Sequence, residues 1–226
     1  MSTFLIYDAE NYEYILQPAG YIALVIILAL LLALLSLFKK PDSSNQSNSR
    51  QFNTKQLVFC SMAMALAVVT SFMKLASLPF GGSITLFSML FISLTGYFYG
   101  LKTGLVTGVA YGVLQMITGP YIYAPLQVLL DYPLAFGALG LSGLFHDKKN
   151  GLLTGYIIGV FGRYICHVIS GYVFFAEYAP EGLNPMLYTL GYNATYILPE
   201  LIATVILIAI PAVCKSVQQV RQYALS

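Results

Sequence analysis

The chain has 226 residues, 58% of them hydrophobic and only 9% charged, far from the roughly 25% charged residues of a soluble domain. A polytopic membrane protein is the reading that fits. A net charge of +2, with no basic stretch interleaved with aromatics, excludes nucleic acid as a partner.

Seven apolar runs, near 20–38, 55–75, 84–100, 103–118, 125–145, 152–176 and 187–213, approach the roughly 20 residues that a helical crossing needs. They are continuous rather than alternating, so transmembrane strands are excluded. Residues 1–19 read as an external segment with Asp8, Glu10 and Glu13 and no Lys or Arg, whereas Lys39 and Lys40 follow the first run. With no small-residue cleavage site, 20–38 reads as a retained extra transmembrane helix rather than a signal peptide. Residues 39–54 form a polar, Ser/Asn-rich, flexible cytoplasmic linker.

The basic residues fix the remaining topology. With Lys39, Lys40, Arg50 and Lys55 inside, Lys102, Lys148, Lys149, Lys215 and Arg221 also fall inside. Lys74 alone lies near the outer face, at a helix end. The fold class is an all-α integral membrane protein: one N-terminal transmembrane helix plus a six-helix membrane domain over 55–213, with 214–226 as a cytoplasmic tail. The N-terminus is expected outside and the C-terminus in the cytoplasm.

Two faces suit close packing. Gly100, Gly104, Gly108 and Gly112 repeat every four residues, which keeps them on one helix face for helix–helix contact within the protein. Ala63 and Ala67, extended by Ser71, form a second small face that either packs internally or docks to a partner in the membrane. Cys60, Cys166 and Cys214 lie inside apolar runs without CxxC spacing and read as small core residues.

Ionisable groups at membrane depth are functional candidates. At about 1.5 Å per residue, Asp131 and Asn193 each lie roughly 9 Å below the outer ends of their helices, and His167 roughly 13 Å. These three are expected to share an outward-facing pocket. Arg163 and Glu200 fall deeper, near 20 Å, and their equal depth and opposite charge suggest a structural ion pair. Tyr132, Phe175, Tyr188 and Tyr192 stand beside the polar groups. Aromatic faces with one carboxylate suit a flat, nitrogen-containing or cationic ligand. Phosphate fits poorly, because no spare Arg or Lys is expected in the pocket. The sequence has no phosphate-binding loop, no HExxH and no Cys/His cluster, so neither a metal, a cofactor nor catalysis is expected.

The segments "SLPFGGSITLFSML", "GPYIYAPLQVLLDYPLAF", "HVISGYVFF" and "YTLGYNATYILPE" resemble the substrate-binding S components of energy-coupling factor (ECF) vitamin transporters, specifically the thiamine-specific ThiT family. The resemblance covers roughly 55–213. It implies a six-helix bundle in the bacterial cell membrane that binds thiamine, or a close pyrimidine or thiazole relative, near the outer face. It implies two kinds of partner: a membrane-embedded coupling subunit, docked on Ala63 and Ala67, and two ATP-binding subunits. Asp131 occupies the position of the family's binding carboxylate, usually Glu, followed by Tyr132. Tyr121, His167, Gly171, Tyr188 and Asn193 match pocket positions, and Phe175 falls where the family has a stacking Trp. An alternative from another class is a self-sufficient proton-coupled carrier, with Asp131 and His167 relaying protons.

Overall fold

A computed structural model describes residues 5–8, 13–22, 26 and 53–226. The chain divides into two compact units, 1–53 and 54–226. In the first, β1 (Leu5–Asp8) pairs antiparallel with β2 (Glu13–Leu16), Leu5 opposite Leu16 and Asp8 opposite Glu13. The Tyr7 and Tyr14 rings meet in a tilted contact across this hairpin, centroids 5.2 Å apart. Apart from 20–22 and 26, and from 53–54, the expected helix at 20–38 and linker at 39–54 lie outside the described residues.

The second unit is the helical bundle. Its elements are α1 (Thr54–Ser71), a hairpin of β3 (Lys74–Ser77) and β4 (Ser83–Thr85), α2 (Ser88–Tyr99) and α3 (Leu101–Thr118). There follow the composite helix α4 (Pro125–Phe145), α5 (Gly151–Phe174), α6 (Pro185–Ala209) and α7 (Pro211–Leu225). Helices α4, α6 and α7 each begin on a proline, where a missing N–H costs nothing. Among the described residues, four helices, α1, α4, α5 and α6, are long and apolar enough to cross a membrane. The run expected at 84–100 is instead a 12-residue helix, α2, most of whose residues are buried in the bundle. A span of about 18 Å does not reach across a bilayer core. The run expected at 55–75 ends at Ser71, because Lys74–Ser77 turns into the hairpin.

Gly100 alone joins α2 to α3, with φ of 85° that a side chain would strain. The glycine ladder then packs α3 against α4 backbone to backbone. A Cβ on Gly104 would stand 2.7 Å from the Gly140 carbonyl oxygen, and one on Gly112 would stand 2.5 Å from that of Tyr132. The expectation of internal packing holds. The 214–226 tail is ordered into α7, whose Arg221 lies over the Tyr97 ring at 4.7 Å and donates to the His146 carbonyl at 2.6 Å.

Candidate functional site

Helix α4 changes register where its chemistry lies. It is α-helical over Pro125–Leu129, π-helical over Leu130–Leu134 and α-helical again over Ala135–Ala138. Pro133 accounts for this: its ring would strike the carbonyl four residues back in a regular α-helix, and the wider π turn relieves the clash. Asp131 sits inside that turn. Its Oδ2 accepts from Gln127 Nε2 at 2.7 Å, and its Oδ1 lies 3.0 Å from His167 Nδ1 on α5. Arg163 Nε, one turn along α5, donates to His167 Nε2 at 3.3 Å.

These contacts fix the proton on His167. An arginine Nε–H only donates, so Nε2 is the acceptor and Nδ1 carries the hydrogen that goes to Asp131. Each Asp131 oxygen therefore keeps lone-pair capacity for a ligand donor. Side chains of Asp131 and His167 are 15% and 12% exposed, enough to be reached and little enough to be shielded from bulk water.

The expected Arg163–Glu200 pair does not form. Glu200, 4% exposed, turns toward the start of α2, accepting from Thr85 Oγ1 at 2.6 Å, Met89 N–H at 3.0 Å and Ser88 Oγ at 3.4 Å. A buried carboxylate at a helix N-terminus is stabilised by those donors and by the helix dipole. Arg163 instead lies over the Phe136 ring at 4.1 Å and lines the cavity. Lys74 lines it too, so the expectation of a pocket without Arg or Lys is overturned.

The cavity, of about 190 Å³, brings together Asp131, Tyr132, Tyr121 and His167 with Gly171, Phe175, Tyr188 and Asn193. Tyr132 OH accepts from the Tyr121 N–H at 2.7 Å, tying the α3–α4 loop to α4. Asn193 is largely occupied by the bundle itself: its Nδ2 donates to the Thr189 and His167 carbonyls at 2.9 and 3.3 Å, and Oδ1 accepts from Tyr196 OH. Tyr188 stacks on Tyr192 at 6.1 Å.

Two residues that sequence reasoning left out of the site belong to its frame. Gln127, buried on α4, accepts from the Tyr123 N–H at 3.0 Å while holding Asp131. Its i, i+4 spacing from Asp131 was the available signal. Phe80, in the short helical turn Pro79–Gly81 between the strands, has φ of 60°. Its ring meets Tyr178 at 4.7 Å and Phe175 at 5.9 Å, and Tyr192 OH bonds the Pro79 carbonyl. Phe175 also meets Tyr123 at 5.1 Å, so an aromatic cluster closes the loop end of the cavity. Outside the spans, Tyr123 OH donates to Glu177 at 3.0 Å; that carboxylate pushes the phenol up to about 12, so it stays a donor over the physiological range.

The two alanines of the small face expected on α1 differ in burial. Ala67 is fully buried, and its carbonyl accepts from Tyr111 OH at 3.1 Å. Ala63 is half-buried, while Ser61 and Ala65 are exposed. Among the described residues no cluster of His, Cys, Asp or Glu is arranged to hold a metal ion.

Fold and site together define a multi-pass membrane protein of the all-α class whose helical bundle, with the β3–β4 hairpin, encloses a polar-and-aromatic cavity. The model of the Thiamine transporter protein family matches residues 57–220. Thiamine transporter ThiT of Bacillus subtilis (strain 168) is 36% identical over 171 residues, 69% of this chain and 88% of that protein. Its counterpart in Lacticaseibacillus paracasei is 30% identical over 120 residues, 47% of this chain and 60% of the relative. The solved structure of ThiT from Listeria monocytogenes superposes with a TM-score of 0.60 at 27% identity, covering 69% of this chain and 91% of that one. The chain belongs to the thiamine transporter family, the ThiT group of S components.

Proposed function

We propose that this protein captures thiamine from outside the cell in the cavity around Asp131 and releases it inward with the help of ECF energising subunits. Thiamine carries an aminopyrimidine ring, a cationic thiazolium ring and a hydroxyethyl arm. The observation that carries the reading is a carboxylate inside an aromatic-walled cavity, held by His167 and Gln127 yet with lone pairs to spare. Asp131 accepts from the amino group, and Phe80, Phe175, Tyr132 and Tyr188 supply ring faces for stacking and cation–π attraction. Tyr121, Gly171 and Asn193 shape the wall rather than donate to the ligand.

Asp131 is one methylene shorter than the family's usual Glu, and the π turn together with Gln127 sets its position. In this reading the N-terminus faces outward and the C-terminus inward, which the distribution of basic residues supports. The coupling subunit docks on α1, through the exposed Ser61–Ala65 strip rather than Ala63–Ala67, with the two ATP-binding subunits attached to it. The test is equilibrium binding of labelled thiamine to the purified protein in detergent. Wild type binds; Asp131→Ala does not. Unchanged affinity in that variant would remove the site.

A further inference from the structure

We propose that Ser170 and Thr189 form an alcohol-binding subsite of this cavity, one helical turn nearer its loop-covered end than the Asp131–His167 layer. The proposal rests on the thiamine reading and names which groups take the ligand's hydroxyl.

Several helical hydroxyls among the described residues close on their own backbone, while Ser93 and Thr204, away from the cavity, are buried without a partner. Thr70 donates to the Leu66 carbonyl, Ser71 to Val68, Thr95 to Ile92 and Thr195 to Tyr192. Such back-bonding is the usual resting place for Ser and Thr in a helix. Ser170 and Thr189 depart from it. They are only 1% and 2% exposed, yet neither hydroxyl has a protein partner. Buried polar atoms are almost always bonded, and an exception calls for a cause. Among the described residues, these two are the ones that both carry an unpartnered buried hydroxyl and line the cavity.

Their placement gives that cause. Ser170 stands three residues after His167 on α5, and Thr189 four residues before Asn193 on α6, so each shares a helix face with a residue of the site. The two helices meet here through Gly171: a Cβ on it would stand 2.6 Å from Thr189 Cγ2 and 3.1 Å from Asn193 Nδ2. Both hydroxyls thus line the cavity about 4.5–6 Å along the helix axes from His167 and Asn193.

A pair of neutral alcohols both donates and accepts, which complements another alcohol. The ligand's amino group has its own partner in Asp131, one turn deeper. In thiamine the amino group and the hydroxyl lie at opposite ends of the molecule, so the two layers together fix its direction in the cavity.

The test compares thiamine with an analogue carrying ethyl in place of hydroxyethyl, by calorimetric titration of wild type, Ser170→Ala and Thr189→Val. Each substitution is expected to weaken thiamine about tenfold, the effect of one lost hydrogen bond, and to leave analogue affinity within about twofold. Melting of the unliganded variants shows that they are folded; should Thr189→Val not fold, Ser170→Ala on the other helix decides alone. Wild-type thiamine affinity in both variants, or equal losses for thiamine and the analogue, overturns the subsite alone. A wild type that binds no thiamine overturns the functional reading and the subsite together.

Discussion

Asp131, His167 and Arg163 act as one chain of contacts, and that alters what Arg163 is expected to do. Paired with Glu200 it would be a brace whose loss mainly unfolds the protein. Donating to His167 at 3.3 Å from the cavity wall, it holds an imidazole in the form that donates to Asp131. Arg163→Ala frees that ring to change tautomer, so thiamine affinity should fall about tenfold, and Arg163→Lys, which lacks the Nε donor, should not restore it. Titration in detergent measures this; an unchanged affinity with a lowered melting point would return Arg163 to a structural role. Glu200 takes over the structural part. Glu200→Ala strands the Met89 N–H and leaves the Thr85 and Ser88 hydroxyls only each other, at 2.7 Å, a loss of roughly 2–3 kcal/mol, to be read as a lower melting temperature with ligand contacts intact. Depth along a helix was legible in the sequence for both residues. The direction around the helix was not, and direction decides that Glu200 reaches α2 while Arg163 reaches the cavity.

The approach of α3 to α4 sets where Asp131 stands, because the ladder from Gly100 to Gly112 presses directly on the α4 backbone. A Cβ on Gly108 would fall inside the contact distance of the Phe136 carbonyl oxygen, which is backbone and cannot swing away. Gly108→Ala should therefore push α4 outward, lowering both melting temperature and thiamine affinity, whereas Gly191→Ala, with nothing within 4 Å of its would-be Cβ, serves as the neutral control. This ladder could be read directly, since a four-residue repeat needs no tertiary knowledge. The π turn could not: Pro133 signals a disturbed helix, but only the packed neighbours decide between a kink, a break and a widened turn. The small face of α1 was readable in kind, but not which of its alanines the bundle covers. Three alternating alanines, Ala63, Ala65 and Ala67, fit two faces equally well, and Tyr111 selects Ala67 for the interior.

The sequence carries no phosphate-binding loop, and under the proposed function partner subunits supply the energy for uptake, where the alternative draws it from an ion gradient. The half-buried Asp131–His167 pair is the natural candidate for proton coupling. Yet Arg163 and Gln127 hold both of its members in a fixed hydrogen-bond pattern suited to gripping a ligand. Reconstituted alone, the protein should bind thiamine but accumulate none, with or without a pH gradient. Addition of the coupling subunit and two ATP-binding subunits should give ATP-dependent uptake. Ala65→Trp, placing a large ring on the exposed strip of α1, should abolish that uptake and leave thiamine affinity in detergent as in wild type. Gradient-driven accumulation by the protein alone would establish a self-sufficient carrier. Normal ATP-driven uptake by Ala65→Trp would move the docking surface off this strip while leaving the capture site intact.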